Sequence, residues 1–193
     1  MCRLKIAVFA SGGGTNLQTI IDGSKTNIFD GEVAAIISNN SKSFALERAR
    51  RAEIADYHIS GFKYPDQVDF DEAIFNVMDK HSINLIVLAG YMKLLPEKLV
   101  ERFKNRIINV HPALLPKYGG KGMYGMNVHE AVIKSGEKIS GATVHFVNER
   151  FDEGNIIIQR TVPVLPDDSP DTLAARVLTV EHQVLPDAVS MFR

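Results

Sequence analysis

The sequence predicts an α/β protein: a doubly wound, mostly parallel sheet flanked by helices, with antiparallel strands toward the C-terminus and a single domain over residues 1–193. The first ground is the recurrence of strand-length apolar runs at Ile6 to Ala10, Val33 to Ile37, Leu85 to Ala89 and Ile107 to Val110, separated by amphipathic stretches. These runs lack polar alternation, as expected of strands covered on both faces by helices. The second is the change after Gly141, where Ala142 to Val147 and Ile156 to Val164 flank a turn at Asn148 to Gly154. That pattern reads as an antiparallel pair.

The helices between the strands follow from apolar spacing. Ser43 to Ile54 sets Phe44, Leu46, Ala49 and Ala52 against Glu47, Arg48, Arg50 and Arg51, and Asp69 to Asp79 carries Phe70, Ala73, Ile74, Val77 and Met78 on one face. Pro96 opens a third helix, where its missing N–H costs nothing. Ser169-Pro170-Asp171 starts a last helix through Leu173, Val177 and Leu178, which Pro186 is expected to interrupt.

At 193 residues, 45% apolar and 23% charged, the chain is long enough to bury a core and has none of the bias of disordered or fibrous proteins. The 22 Lys and Arg balance 23 Asp and Glu, so no net field draws the protein to nucleic acid or to an anionic membrane. The lone cysteine, Cys2, excludes a disulfide framework and a cysteine-based metal site and fits a reducing, cytoplasmic location. No apolar run reaches the roughly 18 residues of a membrane span.

Three segments carry candidate chemistry. Ser11-Gly12-Gly13-Gly14-Thr15-Asn16 follows the first strand and precedes the helical Leu17 to Ile21. Its glycines and the free N–H groups of a helix start suit a phosphate, although a tight turn alone also uses glycine. Leu17 stands where a dinucleotide fingerprint needs its third glycine, and no Gly-Lys-Ser/Thr follows, so a phosphomonoester fits better. Asn109-Val110-His111-Pro112 ends an apolar strand, where open parallel sheets bind ligands, and strand alternation aims Asn109 and His111 at one point. An amide beside an imidazole suits a developing oxyanion, while a strand end with a His-Pro turn is the plainer reading. Asp152 lies in the bend before Gly154; there it serves turn geometry or, if brought near His111, favours the protonated imidazole. The other histidines show no metal spacing: His129-Glu130-Ala131-Val132-Ile133 fails the zinc motif at its last position.

Together, Ser-Gly-Gly-Gly-Thr-Asn-Leu-Gln at 11–18, Leu-Ala-Gly-Tyr-Met-Lys-Leu-Leu at 88–95, Asn-Val-His-Pro-Ala-Leu-Leu-Pro at 109–116 and Phe-Asp-Glu-Gly at 151–154 resemble the phosphoribosylglycinamide formyltransferase family. These are folate-dependent enzymes of purine synthesis. The resemblance runs from about Ile6 to Val189, and Glu181-His182 narrows it to this family within the wider formyltransferases. It implies a Rossmann-like fold and direct formyl transfer from 10-formyltetrahydrofolate, as cosubstrate, to the amine of glycinamide ribonucleotide, with no metal. By the same resemblance Asn109, His111 and Asp152 are catalytic; Gly13, Gly14, Thr15, Asn16 and Glu181 bind the ribonucleotide; and Tyr91, Met92, Lys93, Leu94, Leu95, Val147 and Asp152 line the folate pocket. The partners implied are small molecules, on a monomer or homodimer. The family's arginine for the folate tail falls near Gln67, where this chain offers only Lys63. A formyltetrahydrofolate hydrolase, for whose preceding regulatory domain Met1 leaves no room, and a non-catalytic nucleotide-binding module are the alternatives.

Overall fold

The computed structural model describes residues 3–150 and 152–192; Cys2 and Phe151 lie outside the described residues. The strands are β1 (Leu4–Phe9), β2 (Gly31–Ser38), β3 (Ala55–His58), β4 (Leu85–Leu88), β5 (Ile107–His111), β6 (Ile139–Phe146) and β7 (Ile156–Pro163). The helices are α1 (Thr15–Lys25), α2 (Phe44–Arg51), α3 (Gln67–Lys80), α4 (Glu97–Arg102), α5 (Met126–Lys134) and α6 (Pro170–Ser190).

The strands form a seven-stranded sheet in the order β3-β2-β1-β4-β5-β6-β7. Pairing is parallel from β3 through β5 and antiparallel from β5 to β7, as the apolar runs predict. Alternation along β1 builds both faces. Ile6, Val8 and Ala10 point into a core with α1, α2 and α6, and Ala7 and Phe9 point into a second core with α3 and α4. The chain leaves β1 in one direction to form β2 and β3 and returns on the other side as β4, so a crevice opens beyond the carboxyl ends of β1 and β4. Ser11 ties the two banks together: its N–H donates to Gly90 O, and its hydroxyl accepts from Met92 N at 2.8 Å and donates to Asn39 at 2.6 Å.

Three elements depart from the sequence expectation. β3 is a short, half-buried edge strand whose Ala-Asp-Tyr-His lacks an apolar run. α5 has no counterpart among the helices read from apolar spacing, since its buried face is only Val128, His129 and Val132. The helix from Ser169 does not break at Pro186 but runs on to Ser190. Pro186 leaves the carbonyl of His182 without its i+4 donor, a real cost. Burial of Val184, Leu185, Ala188 and Val189 on the same side outweighs it.

α6 is anchored firmly at its start. Ser169 caps it reciprocally with Thr172, and Asp168 accepts from Leu165 N, from the Thr172 hydroxyl and from both terminal nitrogens of Arg176 at 2.6 and 2.7 Å. The Arg176 guanidinium, together with the Leu165 and Thr172 donors, holds the Asp168 carboxyl well below its ordinary 3.8. An unfolded chain lacks these partners, so it takes up a proton there first as pH falls. Asp168→Asn is expected to lower the melting temperature at pH 7, with the gap to the parent protein closing as pH drops below 3.8. Calorimetry across pH checks it; a gap that stays constant into acid would show the carboxylate's charge to be idle.

Candidate active site

A cavity of about 880 Å³ occupies the crevice at the carboxyl ends of the central strands. One wall is the segment after β4, Tyr91 to Leu95, and another is Val147 to Arg150. The edge of Tyr91 rests on Phe9 with ring centroids 5.2 Å apart, and burial pushes its hydroxyl up to about 12. Asn109, His111, His129, His145 and Asp152 line the polar side, and Asn16 and Glu181 line it from α1 and α6. Among the described residues no group of three or more metal-ligating side chains is placed to hold a metal ion.

The strand alternation of β5 does what the sequence predicts. Ile108 and Val110 enter the core with α6, which turns Asn109 and His111 to the opposite face. Antiparallel register then sets His145 directly across from Asn109. His145 Nδ1 faces the Phe146 carbonyl at 2.8 Å, and since a carbonyl only accepts, the proton of the neutral ring sits there. Its Nε2 is left to accept from the Asn109 amide at 3.1 Å, which fixes which way that amide points.

Asp152 arrives by a doubling back. At the end of β6, Phe146 lies opposite Ile108 and Val147 N donates to Ile107 O, yet Asp152 sits 3.5 Å from His111 Nδ1, so the loop retraces the length of β5. Two backbone features allow this. Asp152 adopts φ 56°, a left-handed conformation that Asp tolerates, and any side chain at Gly154 would overlap the Phe146 carbonyl. Asp152 also lies 3.5 Å from His145 Nε2 and accepts from Gly120 N at 2.9 Å.

Burial pushes the Asp152 carboxyl up, but the neighbouring His111 and the Gly120 N–H favour its charge and leave it below the ordinary aspartate range. For His111 the balance goes the other way. Burial lowers its pKa and outweighs Asp152 and the Tyr118 carbonyl, so the imidazole is more readily neutral than the sequence suggests for a histidine beside a carboxylate. Glu181 is raised by burial despite accepting from Asn16 Nδ2 at 2.5 Å.

Of the residues singled out from sequence, Asn109, His111, Asp152, Asn16, Glu181, Val147 and all of Tyr91 to Leu95 line the cavity. Gly13, Gly14 and Thr15 do not. Gly14 has φ 68°, and a Cβ there would press on Ala45 at 2.9 Å, so α2 packing demands this glycine. A Cβ at Gly12 or Gly13 would meet nothing within 4 Å, and no side chain caps α1, so this part of the loop is open, a few residues before the cavity-lining Asn16. Lys63 donates to His58 O and lies over the Tyr64 ring; the cations lining the cavity are Lys93, Lys121 and Arg150.

Sequence reasoning passes over two histidines that line the cavity, His129 and His145, and gives His182 no role of its own. His145 is placed by register, which one sequence does not display. His129 is buried with Nδ1 unpartnered, its pKa lowered by burial and then by His111. His182, next to Glu181, keeps Nε2 buried and unpartnered, with burial and then Arg48 lowering it; the Glu-His pair is the one local signal for it.

The formyl transferase family model matches residues 4–189. Over 97% of its length the chain is 43% identical to the chloroplastic phosphoribosylglycinamide formyltransferase of Vigna unguiculata, of which it spans only 60%. It is 40% identical to the phosphoribosylglycinamide formyltransferase of Haemophilus influenzae over 97% of this chain and 86% of that one. A crystal structure of glycinamide ribonucleotide transformylase 1 from Symbiobacterium toebii superposes with a TM-score of 0.91 at 39% identity, covering 98% of this chain and 87% of that one. The family model spans nearly the whole chain, and relatives and solved structures agree with it: the chain belongs to the formyl transferase family.

Proposed function

We propose that the protein transfers a formyl group from 10-formyltetrahydrofolate to the amine of glycinamide ribonucleotide, a step of purine synthesis. One observation carries the reading: an amide, an imidazole and a carboxylate converge in a cavity that also holds a buried carboxylate, Glu181, and an unpartnered amide oxygen on Asn16. Two buried acceptors call for a ligand bearing N–H and O–H donors, which an amino sugar phosphate supplies. The names of the relatives support the same substrates.

The amine lone pair forms the bond to the formyl carbon, and the carbonyl electron pair moves onto oxygen. Asn109 donates an N–H to that oxyanion without titrating. The amine's surplus proton passes to Nδ1 of the neutral His111. The imidazolium so formed faces both the oxyanion and Asp152, whose carboxylate offsets its burial. Collapse re-forms the carbonyl and breaks the bond to the folate nitrogen, which receives the proton held on His111, relayed by Asp152 and water, so that the imidazole returns to neutral. The apolar wall from Tyr91 to Leu95 with Val147 receives the folate ring, while the glycine loop and the amides of α1 hold the phosphate.

Incubation with 10-formyltetrahydrofolate, with and without glycinamide ribonucleotide, tests this by mass spectrometry of the products. Formylated ribonucleotide is expected. Formate released at the same rate without the acceptor points to a hydrolase, and ribonucleotide binding without either product points to a non-catalytic module. Asn109→Ala removes an oxyanion donor and should cut kcat by about a hundred- to a thousandfold. Asp152→Asn removes proton handling and should cut it by about a hundred- to ten-thousandfold. Both should leave substrate Kd near the parent's, and near-normal turnover in either would remove that residue from the chemistry. Thr15→Glu puts a negative charge at the start of α1 and should raise the ribonucleotide KM while sparing folate affinity; calorimetry showing unchanged ribonucleotide affinity would move the phosphate elsewhere.

A further inference from the structure

Tyr118 lies in the loop between β5 and α5, and its side chain touches no catalytic group. Its backbone carbonyl, however, stands 2.7 Å from His111 Nε2. A carbonyl only accepts, so this contact requires the proton of the neutral imidazole on Nε2. The other nitrogen, Nδ1, then stands open at 3.5 Å from Asp152. Two acceptors thus compete for one proton, and the shorter contact wins. Were Tyr118 to withdraw, Asp152 would draw the proton to Nδ1. That would block the atom that has to take the amine's proton.

The carbonyl is held there at a cost. Tyr118 has φ 58°, a left-handed backbone that a bulky residue rarely adopts. What offsets the strain is the far end of the side chain. The phenol shares its single hydrogen between two acceptors, Ser135 Oγ at 2.5 Å and Glu137 Oε1 at 3.2 Å. Ser135 spends its own hydrogen on Val132 O, and Lys117 Nζ secures Glu137 at 2.9 Å. The ring is packed against the core between these ends. Two residues on, Gly120 N holds Asp152, so one turn of chain sets both partners of the histidine.

We infer that Tyr118 is a positioning residue: its phenol, anchored at the C-terminal end of α5, holds its carbonyl against His111 and selects the tautomer with Nδ1 open. The catalytic meaning rests on the formyl-transfer reading; the tautomer does not. The groups facing His111 are Asp152 from the loop after β6, His145 from β6 and His129 from α5. Glu181 shares the cavity from α6. All four keep their identity in the variants that test the inference.

The test is nitrogen-15 NMR of the histidine side chains in the free protein, for the parent, Tyr118→Phe and Glu137→Gln. The parent is expected to show His111 protonated on Nε2. Tyr118→Phe should move population to the Nδ1-protonated form and lower the titration midpoint of His111, because a contact favouring the imidazolium is weakened. Its kcat should fall by about two- to tenfold, the worth of one hydrogen bond, with both KM values within about twofold of the parent. Glu137→Gln keeps an acceptor oxygen and should retain the parent tautomer. An unchanged tautomer and midpoint in folded Tyr118→Phe overturns the inference. Should that variant fail to fold, the double variant Ser135→Ala with Glu137→Ala removes both anchors from outside the ring: the same tautomer shift is expected, and its absence overturns the inference. A tautomer shift in a protein that forms no formylated ribonucleotide keeps the anchorage and removes the proposed function.

Discussion

His111 is buried at the end of a central strand with a carboxylate on one nitrogen and a carbonyl on the other, and this single environment governs how the surrounding chain is arranged. A buried imidazole loses hydration in its charged form, so left to itself it stays neutral. Asp152 and the Tyr118 carbonyl reduce that penalty without cancelling it. The result is a group that can be neutral before reaction and charged when an oxyanion develops beside it. A fully exposed histidine would already be screened by water and would gain little from the new charge.

Holding that environment explains several local costs. Asp152 and Tyr118 both occupy left-handed backbone, and Gly154 has no room for a side chain. Thr143 adds a brace: its hydroxyl donates to Ala113 O at 2.6 Å and accepts from Leu115 N at 3.1 Å, and Gln159 holds Thr143 and Leu115 O together. The segment leaving His111 is thereby pinned to β6 and β7. Asn27, Glu53, Ser82 and Asn105 are left-handed at turns elsewhere, but Tyr118 and Asp152 place theirs against His111, where a scaffold can spend stability on geometry.

Much of this was legible in the sequence, and the reasons it was not all legible are physical. Unbroken apolar runs gave the parallel strands because double burial imposes that composition, and β3 escaped because an edge strand is not so constrained. α6 runs through Pro186 because burial of a whole helix face outweighs the cost of the interior proline, a balance that local signals do not contain. Asn109, His111 and Asp152 were found by residue type, strand position and family resemblance. His145 and Tyr118 were missed for different reasons. His145 acts through cross-strand register, and Tyr118 acts through its backbone carbonyl, which every residue has and which no residue name reveals.

The distribution of unpaired polar atoms argues for the same site from another direction. Buried polar groups in a folded protein are normally paired, since an unmade hydrogen bond costs more than a made one gains. Among the described residues, Asn16 Oδ1, Tyr91 Oη and His129 Nδ1 are buried without partners and line the cavity that holds His111, while Ser43 Oγ and Ser140 Oγ, also unpartnered, lie outside its lining. His182 Nε2, also unpartnered, follows Glu181 directly on α6. A core assembled only for stability would have paired or replaced these atoms. Their concentration around a raised Glu181 and a neutral-leaning His111 describes a surface shaped for donors and acceptors that come from outside the chain, and the backbone strain around them is the cost of keeping it open in that shape.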